Sequence, residues 1–243
     1  MSVELHEVSL RYADGPLVID SLSASIESGE FVAVLGASGC GKSSLLNIIA
    51  GLLPPSAGWL EVPDDRAAFM FQDANLLPWL SAGDNVELAL KLAGVPAGQR
   101  AAKVAELLQL VQLGHAAHRK PHELSGGMRQ RVALARALAQ EREVLLMDEP
   151  FAALDAITRD MLHEELRALW QRTGKTIIFV THNVREAIRL AGRILVLSSH
   201  PGRILETRWI TEELREDPAR SAAMANELTQ ILRKEQRKDD DAR

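Results

Sequence analysis

Short apolar runs alternate along the chain with longer stretches in which apolar residues recur at helical spacing, the order of an α/β fold. Val3 to Leu10 alternates as a strand, with Val3, Leu5, Val8 and Leu10 on one face. Leu17 to Ile26 forms a second strand region, closed by the Glu27-Ser28-Gly29-Glu30 turn. Glu30 to Leu35 suits a buried strand, and Ser44 to Gly51 carries Leu45, Leu46, Ile48 and Ile49 at helical spacing. After the Pro54-Pro55-Ser56-Ala57-Gly58 break, Trp59 to Val62 and Ala67 to Phe71 read as short strands. From 84 to 140 the pattern is helical: Asn85 to Ala93, Ala97 to Leu113 and Gly127 to Ala139. This stretch reads as a helical subdomain inserted among strands. Val144 to Met147 and Thr176 to Val180 are buried-strand runs separated by a helix over Thr158 to Thr173. A hairpin follows at Arg193 to Ser198 and Arg203 to Arg208. Asp217-Pro218 opens a last helix with Met224, Leu228, Ile231 and Leu232 on one face, and Lys234 to Arg243 is expected to fray.

Candidate chemistry sits where strands give way to loops. Gly36-Ala37-Ser38-Gly39-Cys40-Gly41-Lys42-Ser43 reads G-x-x-x-x-G-K-S, between a strand and a helix as a phosphate-binding loop requires. Gly36, Ser38, Gly39, Cys40, Gly41, Lys42, Ser43 and Ser44 are therefore expected to line the phosphates of a nucleoside triphosphate. Backbone N–H groups and the helix N-terminus supply positive potential, Lys42 reaches the β- and γ-phosphates, and Ser43 places a hydroxyl on Mg²⁺. Val144 to Met147 ends in Asp148-Glu149, which puts one carboxylate on the metal and the next beside a water. Gln72 and His182 end strands at the same expected edge, His182 with a role at the γ-phosphate. Tyr12, the only tyrosine, closes the first strand; its position suits stacking on a base and equally a half-buried strand residue. Leu76, Leu77 and Trp79 lie in a loop-like stretch, where such residues either pack inward or form a docking patch.

Composition narrows the setting. With 47% apolar and 25% charged residues in 243, the chain can bury a sizeable core. A formal net charge of −5 argues against non-specific nucleic-acid binding, which needs a basic face. The N-terminus mixes charged and apolar residues, unlike a secretory signal, and no apolar run approaches the length of a membrane span. Cys40 is the single cysteine, which excludes an internal disulfide and suits a reducing compartment. Its place in the phosphate loop makes it a candidate for alkylation-sensitive activity, against the plainer reading of a tolerated small residue. A soluble, cytoplasmic protein is expected.

Leu124-Ser125-Gly126-Gly127-Met128-Arg129-Gln130-Arg131, after the phosphate loop and before Val144 to Pro150, resembles the signature segment of ATP-binding cassette (ABC) ATPases. Tyr12 resembles the family's aromatic A-loop, Gln72 its Q-loop, Ala153-Leu154-Asp155 its D-loop and His182 its switch histidine. The resemblance runs from about Val3 to about Arg208. It implies an α/β fold with a P-loop NTPase (RecA-like) core, an antiparallel β subdomain and an inserted α-helical subdomain. The ATPase domain would span 1–210, with the helical subdomain at about 84–140, and 211–243 would form a C-terminal helix and charged tail.

The resemblance also implies roles. Glu149 would polarise water, His182 would hold the γ-phosphate, and Gln72 would assist both the water and Mg²⁺, with Ser43 and Asp148 as further metal ligands. Two copies would pair head to tail, so that Ser125, Gly126, Gly127 and Asp155 of one face the ATP of the other. Gln72 to Trp79, Asp148 to Asp155 and Ser199 to Ile204 look like the nitrate, sulfonate and taurine import branch. The partners would then be a transmembrane permease, docked near Leu76, Leu77, Pro78 and Trp79, and indirectly a periplasmic or lipid-anchored solute-binding protein. The location would be the cytoplasmic face of the bacterial inner membrane. Rival readings are an exporting or mechanical ABC ATPase and a soluble ABC protein of DNA repair or translation. Asn183, Gly192 and Ala153 depart from the commoner Asp, Asp and Ser of the family.

Overall fold

A computed structural model describes residues 3–63, 67–152 and 154–241, with backbone alone for 239–241. Its main sheet has six strands: β3 (Phe31–Leu35), β5 (Ala68–Met70), β6 (Val144–Asp148), β7 (Thr176–Thr181), β8 (Arg193–Leu197) and β9 (Ile204–Trp209). Their order is β5-β6-β7-β3-β8-β9. All neighbours are parallel except β9, which returns antiparallel to β8 as the expected hairpin. The strands read as continuous apolar runs because both faces are covered. Along β3 the side chains divide with period two: Val32 and Val34 join one core, Phe31, Ala33 and Leu35 the other.

The first core lies between the main sheet and a three-stranded antiparallel sheet ordered β2-β1-β4, from β1 (Val3–Arg11), β2 (Leu17–Ile26) and β4 (Ala57–Glu61). Between the two sheets runs α1 (Lys42–Ile49), whose Leu45, Leu46, Ile48 and Ile49 are all buried. The second core holds the remaining helices: α2 (Ala82–Leu92), α3 (Ala97–Leu110), α4 (Gly126–Leu138), α5 (Ala156–Thr173), α6 (Val184–Leu190), α7 (Glu212–Glu216) and α8 (Pro218–Asp241). β5 and β6 are neighbours in the sheet, so the segment carrying α2, α3 and α4 is an excursion that leaves and rejoins one edge. Among the described residues no helix is long and apolar enough to cross a membrane.

Several boundaries differ from the pattern, each for a local reason. Helix α2 begins at Ala82 rather than Asn85, because Ser81 and Asp84 form a capping box. Helix α3 stops at Leu110 rather than Leu113, just before Gln112 turns into the left-handed region at φ 58. Helix α6 is absent from the sequence reading; it is capped by Asn183, whose Oδ1 accepts from Arg185 N and Glu186 N. Helix α7 is likewise absent from that reading. Helix α8 starts at Pro218 as expected but continues to Asp241 instead of fraying from Lys234. Its register buries Leu228 and Glu235, and Lys238 pairs with Glu235 one turn back.

Candidate nucleotide site

The sheet register places the expected residues along one edge. Leu35 pairs with Thr181, and Asp148 with Val180, so the loop after β3, the tip of β6 and the tip of β7 open on the same side. The loop between β3 and α1 needs glycine where φ is 83 at Gly39 and 96 at Gly41. A Cβ at Gly41 would also come within 3.1 Å of Val18 and Ile19. No side chain caps α1, and its first turn carries no acid, so its N-terminal N–H groups remain available to an anion.

Lys42, only 5% exposed, donates from Nζ to Gly36 O at 3.0 Å and Ala37 O at 2.7 Å. Its ammonium thus lies under the loop, held by the carbonyls of the loop itself. Ser43 Oγ donates to Asp148 Oδ1 at 3.0 Å, joining the loop to β6. Ser38, Gly39 and Ser43 are exposed, whereas Gly36, Cys40 and Gly41 are buried. The Cys40 thiol turns into the core beside Gly36, and burial pushes its pKa up. A buried thiol held protonated is a poor nucleophile, so the plainer reading of Cys40 as a small packing residue prevails over alkylation sensitivity. Tyr12 lies just past β1 rather than within it, 48% exposed, and shares a 3.0 Å hydrogen bond with Ser44 Oγ.

Two carboxylates close the other side. Burial raises the pKa of Asp148, with the charge of Glu149 adding to it, against the opposing pull of Ser43 and Lys42. A cation beside Asp148 would relieve both effects. A hydroxyl and a carboxylate facing a triphosphate are the hard oxygen donors that Mg²⁺ takes, with few protein ligands and the rest from phosphate and water. The residues therefore fit that ion. Glu149 adopts φ 41, a strained value for a side-chain-bearing residue, while its N–H donates to Val180 O at 3.1 Å. Its Oε2 lies 3.1 Å from His182 Nδ1. The acid and the histidine, 33 residues apart, are thus in direct contact.

Other expected residues lie apart from this cluster. Ser125 caps α4, accepting from Met128 N at 3.2 Å; Gly126 borders Leu154, and a Cβ at Gly127 would fall 2.4 Å from Thr158 Cγ2. Asp155 caps α5, and hydrogen bonds from Thr158 hold its carboxyl below the usual carboxylate range. Among the described residues none of these four hydrogen-bonds to the phosphate loop. Ala153 of the expected D-loop lies outside the described residues.

Gln72 is exposed just beyond β5, and its carbonyl accepts from Gln130 Nε2 at 2.8 Å. The loop after it has no secondary structure of its own, yet buried Asn85 bonds Leu77, Leu80 and Ser81, and Arg136 bonds the carbonyls of Ala74 and Asn75. Leu76 packs on the core, and Trp79 is left 67% exposed. Neither these clamps nor the polar cluster behind His182 was read from the sequence. The one available signal was Asn183 followed three residues later by Glu186, the pattern of a helix cap.

A family model described as ABC transporter matches residues 19–152. The taurine import ATP-binding protein TauB of Rhizobium johnstonii is 48% identical over 202 residues, covering 80% of this chain and 77% of that protein. The protein of the same description from Escherichia coli is 44% identical over 209 residues, 82% of each chain. Among solved structures, the dimeric post-hydrolysis state of the ATP-binding cassette MJ0796 bound to ADP and Pi superposes with a TM-score of 0.75 at 32% identity. That match covers 86% of this chain and 99% of that one. CbiO1 from Clostridium perfringens, part of the ABC transporter complex cbiONQ, gives a TM-score of 0.78 at 26% identity over 88% and 90% of the two chains.

Behind the strand tips, His163 of α5 is 3% exposed and packs edge-on against Phe151 at 4.5 Å. Neither ring nitrogen has a hydrogen-bond partner, and the carboxylates of Asp160 and Glu186 stand 4.0 Å away. Burial is the main cause that pushes its pKa down to about 4; Arg189 adds to it, Asp160 opposes and Arg159 adds. The folded state therefore binds this proton later than the unfolded state, so stability is present above the unfolded pKa of 6.5 and is lost as pH falls towards 4. Between pH 7 and pH 4 the loss should be about 3 kcal/mol from this residue. Urea unfolding at the two pH values should show that excess loss in the wild type relative to His163→Leu. Equal pH dependence in both proteins would contradict the assignment.

Proposed function

The chain belongs to the ABC transporter family, and we propose that it is the ATP-binding and hydrolysing subunit of an importer for a small oxyanion. Its P-loop NTPase fold and ATPase activity follow from that membership. The observation that carries the mechanism is the meeting, on one sheet edge, of the Ser43–Asp148 and Glu149–His182 contacts beside an uncapped phosphate-loop helix. Two relatives named for taurine import favour a sulfonate or taurine within the expected sulfonate, taurine or nitrate class.

In this reading Tyr12 stacks on the adenine, and the loop from Gly36 to Ser44 wraps the phosphates with its backbone N–H groups. Lys42 exchanges the carbonyls of Gly36 and Ala37 for phosphate oxygens. Ser43, Asp148 and Gln72 would hold Mg²⁺, which when bound supplies neutralisation of phosphate charge. Glu149 orients and polarises the attacking water, and His182, kept in place by Glu149, holds the γ-phosphate. Among the described residues Ser125, Gly126, Gly127 and Asp155 make no hydrogen bond to the loop of their own chain. We assign them to the ATP of a second copy in a head-to-tail homodimer, where the α4 N-terminus offers a second set of N–H groups.

Residues 1–210 act as the ATPase domain, with the helical subdomain at about 84–140 carrying this second contact, and 211–243 form an appended helix and tail. The chain works peripherally, at the cytoplasmic face of the cell membrane, through a separate permease. Held at Leu77 by Asn85, and just upstream by Gln130 on Gln72 and Arg136 on Ala74 and Asn75, the segment Leu76-Leu77-Pro78-Trp79 presents an apolar edge to that permease.

Glu149→Gln keeps size but loses the charge that polarises water, so hydrolysis should fall about a hundredfold or more. ATP binding should persist, and size-exclusion chromatography with ATP and Mg²⁺ should show a dimer. Wild-type phosphate release from this variant would refute the role of Glu149. Trp79→Ala should leave ATP affinity unchanged and weaken co-purification with the permease by roughly thirtyfold, as expected for truncating an aromatic anchor. Unimpaired assembly and transport would place the docking surface elsewhere.

A further inference from the structure

The polar cluster behind His182 is centred on one buried carboxylate. Glu186, in the first turn of α6, is 6% exposed. Its Oε2 accepts from Thr181 Oγ1 at 2.8 Å, and its Oε1 accepts from Asn183 Nδ2 at 3.1 Å. Thr181 Oγ1 in turn accepts from Asn183 N at 3.0 Å. The residues on either side of His182 are therefore tied to one another and to the same carboxylate, whereas the imidazole is 56% exposed and meets Glu149 at 3.1 Å. Arg159 Nε stands 3.6 Å from Glu186 Oε1, and Arg159 Nη2 donates to Leu154 O, so the carboxylate is also braced from α5.

We propose that Glu186 is a positioning residue for hydrolysis: it fixes the turn Thr181-His182-Asn183 so that the imidazole meets Glu149 and the γ-phosphate in one orientation. The proposal rests on the role given above to His182. Asn183 fits this arrangement through its amide, which donates to Glu186 while its oxygen caps α6. An aspartate at 183 would set a second carboxylate against Glu186 and could not donate when ionised.

The test is single-turnover hydrolysis by the full chain in excess over ATP, alongside ATP affinity, thermal stability and the ¹⁵N resonances of the His182 ring. Glu186→Ala should slow hydrolysis about tenfold to a hundredfold, the scale of a small misplacement of a reacting group, with ATP affinity within about threefold of wild type. Its His182 resonances should shift or broaden. Glu186→Gln, which keeps one acceptor, should recover most of the rate, and Thr181→Val, which keeps Glu186 but removes the donor to its Oε2, should slow hydrolysis. In a His182→Ala background Glu186→Ala should change the residual rate no further, because its effect passes through the histidine.

Hydrolysis within twofold of wild type in folded Glu186→Ala would overturn the proposal. So would unshifted His182 resonances, an equal loss in the His182→Ala background, or failure of all three single variants to fold, which would make Glu186 structural. A His182→Ala protein that hydrolyses at the wild-type rate would instead remove the underlying role of His182. In that case the defect of Glu186→Ala, if present, would need another route.

Discussion

Hydrophobic burial of both faces of a parallel sheet is the constraint from which the site follows. β3 and β7 are buried at every position, and their alternate residues are committed to two different cores. A slip of one residue would exchange the faces of a whole strand, so the register is fixed far more firmly than any loop contact could fix it. Polar groups cannot remain inside such a sheet and collect where its strands end. Because β6, β7, β3 and β8 run in the same direction, their ends share one edge, and the phosphate loop, the Asp148-Glu149 pair and His182 meet there from separate segments of the chain.

The resulting edge is electrostatically incomplete. Asp148 is partly desolvated next to Glu149, and among the described residues no side chain caps α1 and its first turn carries no acid of its own. Lys42 meets this by turning to the carbonyls of its own loop, and Ser43 by donating to Asp148. These bonds hold the site in shape at modest cost and use the same donors that a magnesium triphosphate would engage. In the proposed reading, ligand binding would replace these internal partners with phosphate and metal contacts and require little chain ordering. Strain at Glu149, with φ 41, belongs to the same pattern of local cost held in place by a rigid scaffold.

The phosphate loop was legible because its chemistry needs consecutive residues in one strand–loop–helix unit, and the strands of the sheet because burial on both faces leaves unbroken apolar runs. Asp148, Glu149 and His182 were legible as strand tips, but the 3.1 Å contact of Glu149 with His182 depends on strand order, which no local pattern carries. Helix α6 escaped notice because its seven residues are too few to show a period, and α7 because five are fewer still. The loop from Gln72 to Trp79 looked irregular in sequence and is; what fixes it is Asn85, Gln130 and Arg136 from two helices. The charged tail read as frayed because charge dominates its composition, whereas the helix runs on to Asp241 with Glu235 buried and paired to Lys238.

The central claim is that the loop around Lys42 is a triphosphate site held ready by its own carbonyls. Equilibrium binding of ATP with Mg²⁺ to Lys42→Ala, beside the wild type, tests this most directly. Loss of a charge-assisted contact to phosphate, with the loop left without its internal donor, should weaken binding about tenfold to a hundredfold while the fold remains intact by circular dichroism. Wild-type affinity in a folded Lys42→Ala protein would contradict the account.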